Sequence, residues 1–447
     1  MKFQFGWIFT NVLALAGVSY GWLNPYFGLM VYYVFVILRP NFLWFWAWDD
    51  SPPRYLFYIA LATIAGWLLS GMGDWRGLRK VILPLAALAI YVVDGLILSQ
   101  TVAIAKVRAW DFLYPQITIV VMMVLGFSLI RTEKQIRTFA WIITAGLGYL
   151  AWVFNSHYYF GGINRIYTHG FGGIDNNGSA MIFVMAVPLS FFMGMHEKKL
   201  WVKAACLFAA VLQMHVVLLT FSRGGQLGLV IVGAMIFAVA LVALPRKLVT
   251  LTVAVLFVAL TLHLAGAEVR QRFWMIFADE RDASAESRPV LWAAAWRCML
   301  DHPFGVGPRN FNIISHQYGM PPNKSVHNLF LQTGADYGFI GMFSLAIFYF
   351  SAMFRSFFMC FNPAAKRLVW ARYYGQMCTI ALSGMLICSI FIGMESVEHG
   401  FIIAMLGLCT AAYIDRIAVS EPKLEKGILP ELEEVPTGRE YEDLAPA

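Results

Sequence analysis

The sequence predicts an all-α, polytopic membrane protein with about 12–13 transmembrane helices and one long outward loop containing short helices. Three observations carry that reading. Of 447 residues, 60% are hydrophobic and 13% charged, whereas a soluble globular chain carries about 25% charged residues. Apolar runs long enough to cross a hydrocarbon core about 30 Å thick recur along nearly the whole length. These runs are continuously apolar rather than alternating, which excludes a transmembrane β-barrel. Soluble single-domain enzymes, disordered chains and small disulfide scaffolds are excluded by the same composition.

Spans are expected at residues 7–23, 26–46, 55–71, 81–99, 112–130, 138–155, 178–195, 204–221, 224–244, 248–265, 339–356, 374–393 and 399–414. Only Asn24 and Pro25 separate the first two, which therefore count as one irregular element or two. Met1 to Phe9 has one lysine and no small-residue cleavage site, so it reads as an uncleaved span. The chain then divides into a bundle at 1–265, a loop segment at 266–338, further spans at 339–414 and a tail at 415–447.

Orientation follows from Lys and Arg in the short connections. One side holds Arg76, Arg79, Lys80, Arg131, Lys134, Arg137, Lys198, Lys199, Lys203, Arg246, Lys247, Arg355, Lys366, Arg367 and Arg372, against Arg54, Lys106, Arg108, Arg165 and Arg223 on the other. The richer side is assigned to the cytoplasm, and the surplus of bases needs no nucleic-acid partner. The tail from Asp415, with nine acids, four bases and Pro422, Pro430 and Pro436, is expected inside and disordered. Cys298 is the only cysteine in an outward segment, so no outward pair forms a disulfide.

Chemistry is expected in the outward loop from Gly266 to His327, which is too polar to be embedded. Ser287 is read as the cap of a helix from Arg288 to about Leu300, with Pro289 in its first turn. Leu291, Trp292, Ala295, Trp296 and Met299 would share one face, giving an amphipathic helix on the bundle or the membrane surface. Arg288 would then stand at a helix N-terminus, where backbone donors and a guanidinium suit a phosphate. Pairing with Asp282 or Glu286 is the alternative. Helix Asn328–Arg355 would run about 42 Å at 1.5 Å per residue, so Gly338 is the expected break and Phe339 the start of the true span. His327 would open the short helix before it. Histidine is suited to proton removal near neutral pH, while a capping or headgroup role is the plainer reading. Asp336 either orients the site or caps the break.

The forty-residue apolar stretch from Ala204 to Leu244 is interrupted only by Ser222-Arg223-Gly224-Gly225. Arg223 is a cation in a minimal outward turn, a position that the charge bias disfavours. Snorkelling and a functional role both account for it.

Other polar positions carry less. Asp49 and Asp50 precede Pro52 and Pro53 and read as solvated loop acids, though acidic residues in a first outward loop also hold metals in some membrane glycosyltransferases. Asp94 lies within a span, where a structural partner is expected. The loop from Asn155 to Gly178 joins His157, Arg165, His169 and Asp175 to several aromatic residues, a combination that suits sugar rings. Glu395, Glu398 and His399 form a polar outward turn without an assigned role.

Thr220-Phe221-Ser222-Arg223-Gly224-Gly225, Ser287-Arg288-Pro289-Val290-Leu291-Trp292 through Asp301-His302-Pro303-Phe304-Gly305-Val306-Gly307, and His327-Asn328-Leu329-Phe330-Leu331 with Tyr337-Gly338-Phe339-Ile340-Gly341 occur in that order. Together with the long loop they resemble the bacterial O-antigen ligase and polymerase family over about residues 200–360. Asp279 to Arg288 also resembles the exosortase-associated O-glycosylation ligases. The resemblance implies inverting, metal-independent transfer of a glycan from a polyprenyl (undecaprenyl) diphosphate donor at the periplasmic face of the inner membrane, without cofactor. It maps the family's two diphosphate-contacting arginines onto Arg223 and Arg288 and its essential histidine onto His327. Ser222, Asn328, Arg309 and Arg165 are expected to help bind substrate.

Within this class the acceptor is a lipid A core, a growing glycan, as in O-antigen or exopolysaccharide polymerases, or a protein. Membrane lipid is a further partner. Outside it, a lipid-glycan transporter or flippase predicts internal repeats and mid-membrane charges. No repeat is found, and the charges gather at the outward face.

Overall fold

The computed structural model describes residues 5–48, 53–243, 283–320, 324–393 and 397–425, with six single helical positions between 252 and 271. Asp49 and Asp50, the expected span at 248–265 apart from single positions, most of the loop before Ala283, and the tail beyond 425 lie outside the described residues. The helices are α1 (Phe5–Gly21), α2 (Pro25–Leu38), α3 (Pro40–Leu43), α4 (Tyr55–Leu69), α5 (Leu78–Thr101), α6 (Lys106–Leu129), α7 (Glu133–Tyr159), α8 (Arg165–His169), α9 (Asn176–His196), α10 (Leu200–Leu219) and α11 (Arg223–Ala243). There follow α12 (Ala283–Asp301), α13 (Phe311–Ile314), α14 (Leu329–Met359), α15 (Pro363–Arg367), α16 (Val369–Cys388) and α17 (Glu398–Glu425). Among the described residues there is no strand beyond one bridge between Phe171 and Ile174.

Nine helices among the described residues are long and apolar enough to cross a membrane. The apolar α1 and α4 are shorter, and α16 has 20 residues. The protein is an all-α polytopic membrane protein. A bilayer imposes this, because helices satisfy their backbone hydrogen bonds internally where no water is present.

Local chemistry sets the helix ends. Asn24 accepts from Phe27 N and Pro25 occupies the first turn, so α1 and α2 are separate helices. The expected span at 26–46 is present over Pro25–Leu43 but is broken within: α2 ends at Leu38, where Arg39 takes a left-handed conformation (φ 42°) before Pro40, and α3 follows. Thr132 and Gln135 form a capping box on α7. Asp175 caps α9 through Gly178 N, and Asn328 caps α14 through Leu331 N.

Helix ends alternate between the two ends of the bundle. At one, Arg39 pairs with Glu398 (2.9 Å), Ala105 N donates to Asn310 and Leu329 N donates to Ser389 O. At the other, Asp74 N donates to Ser128 O and Arg131 donates to Arg76 O. Helix α9 is the innermost span, with 89% of its most apolar stretch buried.

The break expected at Gly338 is present, with φ 67° and ψ −167° inside α14. Phe339 N donates to Pro303 O (2.9 Å), and a side chain on Gly305 would fall 2.6 Å from Gly338 N. Only glycine fits that approach. Buried Asp336 holds the same junction. Its backbone carbonyl accepts from Val306 N and Gly307 N, and its carboxylate from Phe311 N and Gln332 Nε2. Leu291, Ala294, Ala295, Cys298, Val306, Phe311, Ile314 and Met320 thereby form a small core of their own beside the bundle, with Val326 and Ala335.

Candidate active site

Arg223 begins α11, immediately after the buried Ser222. Ser222 Oγ accepts from Gly225 N and its carbonyl from Gln226 N, so Ser222 shapes the turn that presents Arg223. Its neighbour Gly224 lies against Phe391: a Cβ there would sit 2.9 Å from Phe391 Cβ. Phe391 also carries Arg288, whose Cζ is 5.4 Å from the ring centroid. One aromatic side chain thus links α11 to α12.

The helix bearing Arg288 differs from expectation. It starts at Ala283, so Ser287, Arg288 and Pro289 lie inside it, and Arg288 does not stand at a helix N-terminus. Ala283-Ser284-Ala285-Glu286 extends the helix upstream, against the cue from Pro289. The buried face also shifts, to Leu291, Ala294, Ala295, Cys298 and Met299, while Trp296 is 46% exposed and meets Phe339 edge-on. The helix lies on the bundle, packed along α14.

His327 sits in the loop before α14 rather than opening it, in a left-handed conformation (φ 54°). Its turn rests on the chain leaving α16. Leu329 N donates to Ser389 O (2.8 Å), and a Cβ on Gly393 would fall 3.6 Å from His327 N. Burial lowers the proton affinity of His327, Arg288 and Lys324 lower it further, and Asp175 partly offsets them. Asp175 reaches this place because neighbouring Asn176 donates to Thr220 O (2.9 Å), tying the start of α9 to the Arg223 turn.

The turn that begins α11 at Arg223, Arg288 and the His327 loop, distant in sequence, therefore come together around Ser389–Gly393. Asn328 stands beside them with its side-chain oxygen engaged as the α14 cap. The other two expected binders are held elsewhere. Arg309 lies over Phe112 of α6 (4.7 Å), and Arg165 lies over Phe45 (4.9 Å) and donates to Phe42 O. Phe221, Arg309 and His327 are non-glycine residues at positive φ, a strained state found preferentially at functional sites. Among the described residues no group of three or more His, Cys, Asp or Glu side chains is placed to hold a metal ion.

One contributor escaped the sequence reading: Phe391 carries no signal, being one apolar residue at the end of an apolar run. Asp175, expected in the sugar-binding loop from Asn155 to Gly178, lies instead where its charge acts on His327.

No curated protein matches the chain. Residues 204–346 match the family model described as O-antigen ligase. That stretch holds the Arg223 turn, Arg288, His327 and the Gly338 junction, and over it the chain is similar to O-antigen ligases.

Proposed function

We propose that this protein transfers a glycan from a polyprenyl diphosphate donor to an acceptor hydroxyl, with inversion and without a metal, at the outward, periplasmic face of the inner membrane. The observation that supports it best is the meeting of Arg288 and the Arg223 turn on Phe391, with His327 beside Arg288. In the reaction the acceptor oxygen bonds to the anomeric carbon and the carbon–oxygen bond to the diphosphate breaks. The bonding pair leaves with the phosphate.

Negative charge grows on the diphosphate as that bond breaks, and Arg223 and Arg288 stabilise it where water is scarce. His327 takes the acceptor proton. Its lowered proton affinity keeps it neutral, and therefore basic, near neutral pH. Ser222 and Asn328 support the turns that carry these groups, and Arg165 and Arg309 are assigned to the glycan further out.

The test is transfer by purified protein from a polyprenyl diphosphate glycan in EDTA, with lipid A core, peptide and glycan acceptors offered separately. Product is expected from the wild type and from Asp49→Asn but not from His327→Ala or Arg288→Ala. The acceptor used separates ligase, polymerase and protein glycosylation. A requirement for metal and Asp49 would move the site to the first outward loop, and failure with every acceptor would favour a lipid-glycan transporter.

A further inference from the structure

Arg39 ties together three parts of the His327 end of the bundle: the junction of α2 and α3, the start of α17, and the turn that leads into α9. Its backbone is left-handed (φ 42°), and 19% of its side chain is accessible. One guanidinium nitrogen lies 2.9 Å from the Glu398 carboxylate at the start of α17, and another donates to Gly172 O. Gly172 has φ 65°, and a Cβ there would run into Arg39 Cδ. Only glycine allows the guanidinium this close to the backbone.

The turn that Arg39 grips, residues 170–175, closes on itself. Phe171 N donates to Ile174 O and Ile174 N to Phe171 O, both at 3.0 Å, and Phe171 N also donates to Ser179 Oγ of α9. Gly170, with φ 61°, has no room for a Cβ beside Ile174 O. The next residue out of the turn is Asp175. One of its oxygens caps α9 by accepting from Gly178 N (2.8 Å), and its charge acts on His327. The other charges acting on His327 among the described residues are Arg288 of α12 and Lys324 of the loop before α14. Both are positive, so Asp175 alone offsets them. The Arg39–Glu398 pair is mostly withdrawn from water, with 19% and 16% of the side chains accessible, and is therefore weakly screened.

We propose that Arg39 is a positioning residue of the candidate active site: held by Glu398 and gripping Gly172 O, it fixes the turn that sets Asp175 against His327. Its bearing on catalysis rests on the reading of His327 as the base of glycosyl transfer. The influence of one charge on another falls with distance. A loosened turn lets Asp175 withdraw and leaves Arg288 and Lys324 less opposed, so the proton affinity of His327 falls. Arg39's own charge would act in the other direction, because deleting a cation raises the proton affinity of a nearby histidine. The sign of the change therefore separates positioning from direct electrostatics.

The experiment is an NMR titration of the full-length protein in mild detergent, with histidine labelled at Cε1 and the His327 signal identified by its loss in His327→Ala. Arg39→Gln is expected to move the His327 titration to lower pH and to add nothing further in an Asp175→Asn background. Glu398→Gln is expected to move it the same way. Exchange of the Ile174 amide is expected to accelerate about 2–10-fold in both single variants, the loss of one hydrogen bond. Should Arg39→Gln fail to fold, Arg39→Lys replaces it: lysine keeps the charge but lacks the fork that reaches Glu398 and Gly172 O together. Its shift is expected in the same direction. An upward shift in Arg39→Gln, no shift, or a further downward shift in the Asp175→Asn background overturns the proposal. The acid limb of kcat/KM is expected to follow the His327 titration. A titration that moves while the limb stays fixed overturns His327 as the base and leaves Arg39 as the residue that positions Asp175.

Discussion

Arg288 lies over the ring of Phe391, Cζ to ring centroid 5.4 Å, and this contact joins the loop helix to the end of α16. Cation–π contacts of this kind are worth about 0.5–2 kcal/mol. Phe391→Ala is therefore expected to lower kcat/KM for transfer about 2–30-fold through misplacement of Arg288. Phe391→Tyr, which keeps the ring face, retains most activity. Steady-state kinetics on the two variants checks this, and equal loss in both would remove the ring from the account.

The pH profile follows from the surroundings of His327. A base acts when neutral, so activity falls as pH drops through its pKa. That pKa is lowered by burial, Arg288 and Lys324, so the acid limb of kcat/KM is expected below the usual histidine value of about 6.5. Arg288→Gln removes a positive neighbour and shifts the limb upward, even as the rate falls. Asp175→Asn removes the offsetting negative charge and shifts it downward. Limbs that do not move in opposite directions would separate His327 from the titration.

Gly338→Ala is expected to destabilise the protein severely. Its φ of 67° with ψ of −167° belongs to a region almost reserved for glycine, costing about 1–3 kcal/mol for other residues. The new Cβ would also lie 2.6 Å from Gly305 N. Gly233→Ala, with nothing within 4 Å, is the comparison expected to unfold at the wild-type temperature. Thermal unfolding in detergent reads both.

Asp336→Asn replaces one of two accepting oxygens with a donor, so either Phe311 N or Gln332 Nε2 loses its partner. An unsatisfied buried group costs about 1–3 kcal/mol. Hydrogen exchange of the Phe311 amide is expected to accelerate while amides in the core of α9 stay protected. Unchanged exchange at Phe311 would show that the carboxylate does not hold this loop.

Sequence alone made some of these features legible and hid others. Gly338 stood out because the apolar run from Asn328 to Arg355 exceeded the bilayer, and a glycine near its outer third was the place to break it. Asn24 and Pro25 were visible as a separator, though not as proof of two helices. Arg288 was placed wrongly within its helix, because Ser287 and Pro289 imitate a helix start while the preceding residues are good helix formers. Its buried face was misread for a related reason: Trp296 is apolar but meets Phe339 from an exposed position, whereas small Ala294 and Cys298 pack inward. Arg165 and Arg309 look like Arg288 in sequence, each being a base among aromatic residues outside the spans. Their places, over Phe45 and Phe112, depend on which helices become neighbours.

The sequence by itself determined an all-α membrane bundle and the local signals that bound its helices. These follow from short-range requirements: backbone groups in lipid must be satisfied within a helix, and caps and glycine breaks act over a few residues. Only the tertiary structure decided that the Arg223 turn, Arg288 and the His327 loop come together on the chain leaving α16, and that Arg76, Arg131 and Arg416 meet around Asp74. The partners in each group are brought together by the packing of helices that are far apart along the chain. Sequence spacing does not encode that packing, because one apolar helix face resembles another until its neighbours are known.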